Sequence, residues 1–147
     1  MKIVEFLNKS LKSKELVEFF EDYDVEVIYM YDRLYEGMSD RYFGKIAELG
    51  LEFSFDENKI LKTIFIFTQK IEGYSQANIG ELSLQDFPTK ENAIDFAKKN
   101  DINYKEGNGK FLGTELDWVK LILGQYSIHY QYSGGALNQV TLQIENA

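Results

Sequence analysis

The 147 residues carry 24 acids against 16 Lys and Arg, a net charge of −8, with no cysteine and one histidine. These totals exclude a disulfide framework and a Cys-based metal site, and they disfavour nucleic acid as a partner, because phosphates are held by clustered cations. The length suits one domain with a single core, and no apolar run reaches the ~20 residues of a membrane span, so the chain reads as a cytoplasmic protein without a membrane partner.

In chain order, Ile3, Val4, Phe6, Leu7 and Leu11 follow a helical spacing. Ser13 then reads as the N-cap of a short helix whose apolar stripe is Leu16, Val17, Phe19 and Phe20. Glu15 and Glu18 near its start suit the positive end of the helix dipole. Residues 24–31, DVEVIYMY, change the period to two and predict a strand. Residues 33–40 predict a charged, tyrosine-bearing loop, and residues 41–48 a second strand broken near Gly44, with a bend at Gly50.

Residues 51–67, LEFSFDENKILKTIFIF, predict a β-hairpin at the middle of the sheet. Leu51, Phe53 and Phe55 alternate with polar residues; Asp56 to Lys59 make the reversal, with Asn58 suited to a left-handed conformation and Asp56 able to bond back to the turn. The return strand is apolar on both sides, which predicts a central strand with both faces covered. Residues 68–87 lose periodicity and read as a crossing loop. Thr89 after Pro88 predicts the N-cap of a helix over residues 90–100, with Ala93, Ile94, Phe96 and Ala97 inward. The three glycines of residues 103–113 predict another loop. A short strand over residues 118–123 then precedes a hairpin in which Tyr126, Ile128, Tyr130 and Tyr132 share one face, Gly134-Gly135 turn, and Val140, Leu142 and Ile144 alternate. The sum is one α+β domain over residues 1–147, with five to seven antiparallel strands and two or three helices on one face.

Little in this chain can be assembled into a catalyst. His129 has no nucleophile and acid grouped around it in sequence, nor the further His or Cys ligands of a zinc site, so it reads as a sheet-surface histidine. The KEGNGK stretch lacks the strand, helix and Lys-Ser/Thr pair of a phosphate loop, and DENK lacks the ligand pattern of a calcium loop. Glu21/Asp22/Asp24 and Asp56/Glu57 are explained by helix ends and turns. No catalytic residue, metal ligand or cofactor is expected.

The uneven feature is charge. Residues 15–40 hold nine acids and one base, so this segment alone matches the chain's whole net charge. Several of the ten tyrosines fall in or beside it. Acids interleaved with aromatic rings are the composition of an interface that anchors with rings and selects a basic partner by charge. The candidate partner-binding residues are Asp22, Asp24, Tyr31, Asp32, Tyr35, Glu36 and Asp40.

Four stretches, FLNKSLKSKELVEFF, LEFSFDENKILKTIFIF, FPTKENAIDFAKK and a Trp followed by SIHYQYSGGALNQVTLQI, together resemble small immunity proteins of bacterial polymorphic and contact-dependent growth inhibition toxin systems. The order spans most of the chain, and it departs from such chains after the helix, where residues 99–103 read KNDIN. The resemblance implies a toxin-neutralising protein without catalysis of its own, and it assigns no binding residues. Joined to the charge, it predicts a cognate toxin domain as partner, a nuclease whose basic cleft the acidic surface occludes. The alternative left open is a small ligand-binding domain or enzyme that uses residues 73–87 and the Trp118/His129 region as a pocket.

Overall fold

The computed structural model describes residues 1–30 and 41–145, and of residues 27–30 the backbone only. Eight strands form one antiparallel sheet: β1 (Glu26–Met30), β2 (Arg41–Ile46), β3 (Leu51–Phe55), β4 (Leu61–Phe67), β5 (Asn103–Phe111), β6 (Thr114–Leu123), β7 (Tyr126–Ser133) and β8 (Ala136–Ile144). Their order is β1-β2-β3-β4-β8-β7-β6-β5, two four-stranded meanders joined where β4 meets β8. The helices are α1 (Lys14–Glu21) and α2 (Lys90–Lys99).

Alternation dictates which face is buried. Phe53, Ile64, Leu142, Ile128 and Leu121 are successive register partners across β3, β4, β8, β7 and β6, so one apolar row crosses the sheet, and all five are buried. Both helices pack on this face. From α1, Phe19 stacks parallel to Phe53 at 6.0 Å between ring centroids and Phe20 reaches it at 5.5 Å. From α2, Ala93 and Ala97 are fully buried, while Phe96 meets Phe87, which packs edge-on against Tyr130 at 5.0 Å. The α+β class and the position of the helices match the expectation.

Caps explain where the helices start. The Ser13 hydroxyl accepts from the Leu16 N–H, and Thr89 forms a reciprocal capping box with Asn92. The helical spacing of residues 3–11 yields only one 3-10 turn, Ile3–Phe6, after which the chain runs beside the start of β4, with Asn8 N–H donating to Leu61 O and Leu61 N–H to Lys9 O. In the central hairpin the Asp56 carboxylate accepts from the N–H groups of Asn58 and Ile60, as expected, but the left-handed residue is Lys59 (φ 63°) and not Asn58.

Four expectations need correction. Residues 103–113 are not a loop: they form β5 and the turn at Leu112 and Gly113, which makes eight strands. An edge strand with both faces largely exposed needs no apolar alternation, so it left no period to read. The strand that follows is likewise longer than residues 118–123, beginning at Thr114. Gly44 does not break β2, which pairs continuously with β1 and β3 through it, and the Phe20 ring of α1 lies over it, at ordinary contact distance (3.7 Å) from where a Cβ would stand. Finally, β4 is central, but Phe65 and Phe67 stay half-buried on the sheet's other face, where Tyr74 shields Phe67 at 4.7 Å.

The crossing segment after β4 is held by tyrosines. The Tyr130 hydroxyl donates to Gln85 O at 3.0 Å and that of Tyr132 to Phe87 O at 2.8 Å. Burial pushes both hydroxyls' pKa values up, so they remain donors. These rings, which share the predicted face, serve the core and satisfy backbone carbonyls of a loop that would otherwise lose them to burial.

Candidate interaction surface

The described part of the acidic segment lies on α1 and on the chain leading into β1. Its six acids, Glu15, Glu18, Glu21, Asp22, Asp24 and Glu26, are all exposed. Near the helix start, Glu15 and Glu18 have lysine partners at 3.9 Å, Lys9 and Lys14. At the helix exit the balance changes. Asp22 is the C-cap, its N–H bonded to Phe19 O, and no base occupies the last turn of α1. Among the described residues, no ion pair reaches Glu21, Asp22, Asp24 or Glu26. The backbone of Asp24 instead donates to another acid, Glu48, at 3.4 Å.

That arrangement is electrostatically costly. The C-terminal end of a helix carries partial negative charge, so acids there are unfavourable by about 0.3–1 kcal/mol each at low ionic strength. The structure thus brings Asp22 and Asp24 together on one exposed negative corner. The other candidates, Tyr31, Asp32, Tyr35, Glu36 and Asp40, lie outside the described residues, in the chain between β1 and β2.

The parts of the alternative pocket do not converge. Tyr74 of the crossing loop packs on Phe67 and under the Lys45 ammonium, 4.6 Å from its ring centroid. Trp118 stands three strands away, separated by Gln139 and Gln131 in register. One groove that the crossing loop forms, about 470 Å³, is lined by Thr68, Gln76, Asn78, Asp86 and neighbours without Trp118 or His129.

His129 sits on the sheet surface, as expected, half-buried and stacked on Trp118 at 5.2 Å and 21°. Burial, and secondarily the Lys120 charge beside it, hold its pKa below the ordinary 6.5. The unfolded chain therefore takes up this proton first. The histidine's contribution to stability is intact above pH 6.5 and is lost as pH falls below that value. His129→Gln is expected to flatten this part of the profile in urea melts across pH; profiles that stay parallel to wild type would contradict it.

Sequence reading missed two features of this end. The Trp118 indole covers Gly107, its register partner, so closely that a Cβ at 107 would lie 2.6 Å from the ring. Lys90, with a largely buried side chain, ties α2 to the β5–β6 hairpin through Glu106 (3.3 Å), Asp117 (3.8 Å) and Gly107 O (3.3 Å). The glycine on an otherwise polar stretch was the only trace of the first, and the second needs the fold. Among the described residues, no three His, Asp or Glu side chains group as a metal site, and no helix is long and apolar enough to cross a membrane.

Fold and surface together define an α+β protein with an eight-stranded antiparallel sheet, helices on one face and an acidic corner at one end. No protein-family model, curated protein or solved structure gave a match to the chain.

Proposed function

We propose that the chain is an immunity protein that binds a cognate bacterial toxin in the cytoplasm and blocks it, without catalysis, cofactor or metal of its own. The observation that carries this reading is the acidic corner at the exit of α1, where Glu21, Asp22 and Asp24 stand exposed at the unfavourable end of a helix dipole. Exposed charge at a position unfavourable to the helix suits a basic partner, and the same charge disfavours nucleic acid. A nuclease fits best as the toxin, because its cleft must be positive to hold phosphates. The acids would occupy that cleft, with Tyr31 and Tyr35 as ring anchors and Asp32, Glu36 and Asp40 extending the negative surface.

The test is association kinetics against the toxin domain encoded by the neighbouring gene, at several salt concentrations. Association is expected to be fast at low salt and to slow as ionic strength rises. Replacing Asp22, Asp24, Asp32, Glu36 and Asp40 by their amides should lower the association rate about tenfold or more, in the range by which charge steering raises on-rates. Tyr31→Ala or Tyr35→Ala should mainly raise the dissociation rate. A salt-independent rate, with the amide variant binding like wild type, would remove the interface from this surface.

A further inference from the structure

Among the described residues, the far edge of the sheet is a nine-residue strand, β5, with no strand beyond it in the sheet order. Its hairpin with β6 ends in Phe111 and Leu112, 66% and 90% exposed. Phe111 and Thr114 are register partners around the two-residue turn Leu112 (φ 51°) and Gly113 (φ 81°), so they exchange both hydrogen bonds of a narrow pair. Counting back by twos, the odd residues of β5 bond to β6. The even residues, Tyr104, Glu106, Asn108 and Lys110, direct their N–H and C=O groups away from the sheet.

We propose that this edge pairs antiparallel with the same edge of a second copy, about a twofold axis through Asn108, to form a continuous sheet across a homodimer. An axis normal to the sheet preserves faces, and centring it on Asn108 makes outward-bonding residues meet outward-bonding residues. In that register Glu106 opposes Lys110 of the second copy, twice by symmetry, and both lie on the helix-bearing face. Gly107 opposes Gly109 of the second copy. Nothing lies within 4 Å of a Cβ built on Gly109, and the second copy's Phe111 comes opposite Lys105 and diagonal to Gly107, against the edge of the Trp118 indole that already fills the space over Gly107. The exposed ring and the alternation of charge are thus accounted for by one pairing. A register centred on Glu106 would set Glu106 against itself.

The mass of the full chain in solution, followed by sedimentation over a concentration series, tests this. Wild type is expected to reach the mass of two chains. Asn108→Pro removes an outward N–H and leaves the β6 bonds in place, so it should give one chain. Lys110→Glu and Glu106→Lys, each alone, should also give one chain, and an equimolar mixture of these two should restore two, since both opposing pairs become attractive. Lys110 is exposed, so Lys110→Glu keeps the test open if proline disturbs the hairpin. A wild-type mass of one chain throughout would overturn the proposal. So would a Lys110→Glu variant that stays dimeric, or a mixture that stays monomeric although Glu106→Lys, whose wild-type carboxylate also holds Lys90 of its own chain, melts like wild type.

Discussion

Phe53→Ala is expected to cost ~3–5 kcal/mol, the range for deleting a fully buried aromatic side chain. Phe53 has no exposed surface and stands where the two covering elements meet the sheet: its ring contacts Phe6, Phe19, Phe20 and Phe55 at centroid distances of 5.5–6.5 Å. Collapse of the surroundings into the vacancy is limited, because the partners come from three separate elements with fixed backbones. The loss is comparable to the whole stability of a marginal domain, so the variant is best measured as a shift in denaturation midpoint at low temperature. A cost below about 1 kcal/mol would mean that the α1 side of the core is loosely packed, against the geometry.

Gly50→Ala is expected to cost roughly 2–5 kcal/mol, because strain from a left-handed backbone and overpacking add. Gly50 has φ 69° and ψ 34°, and a Cβ there would lie 2.4 Å from Ser75 O and 2.9 Å from Ala77 N. Neither obstacle is a side chain that can swing aside. Ser75 N–H donates to Ala47 O, Ala77 N–H to Phe67 O, and Phe67 N–H to Gly50 O, so the crossing loop is stitched to the end of β4 and to the 3-10 turn before β3 at this point. Thermal melts of Gly50→Ala beside Gly80→Ala make the control: Gly80 lacks a positive φ and has only the Asn78 side chain nearby, at 3.4 Å. Equal melting temperatures for the two variants would remove the close approach as the cause.

These two positions differ in how they could be read beforehand. Phe53 was legible, because alternation with Glu52 and Ser54 assigns its face and the apolar return strand sets it centrally. The bend at Gly50 was legible as well. Its contact with residue 75 was not, since nothing local reports which loop passes overhead. The same division separates the acidic residues: their concentration is a count along the chain, but the unfavourable placement of Asp22 at the exit of α1 depends on where the helix stops.

By itself the sequence determined the elements whose signals are local: the capped helices after Ser13 and Thr89, the hairpin over residues 51–67, the Gly134-Gly135 turn, and the excess of acid before residue 41. Period and cap chemistry act within a few residues, so they are written in order along the chain. Only the tertiary structure decided that β8 joins β4, that residues 103–111 form an edge strand, that Gly44 lies under Phe20 and Gly107 under Trp118, and that the C-terminal tyrosines secure a loop 45 residues away in sequence. Each of these depends on which distant segments share a face, and an edge strand open on both sides has no burial pattern to announce it.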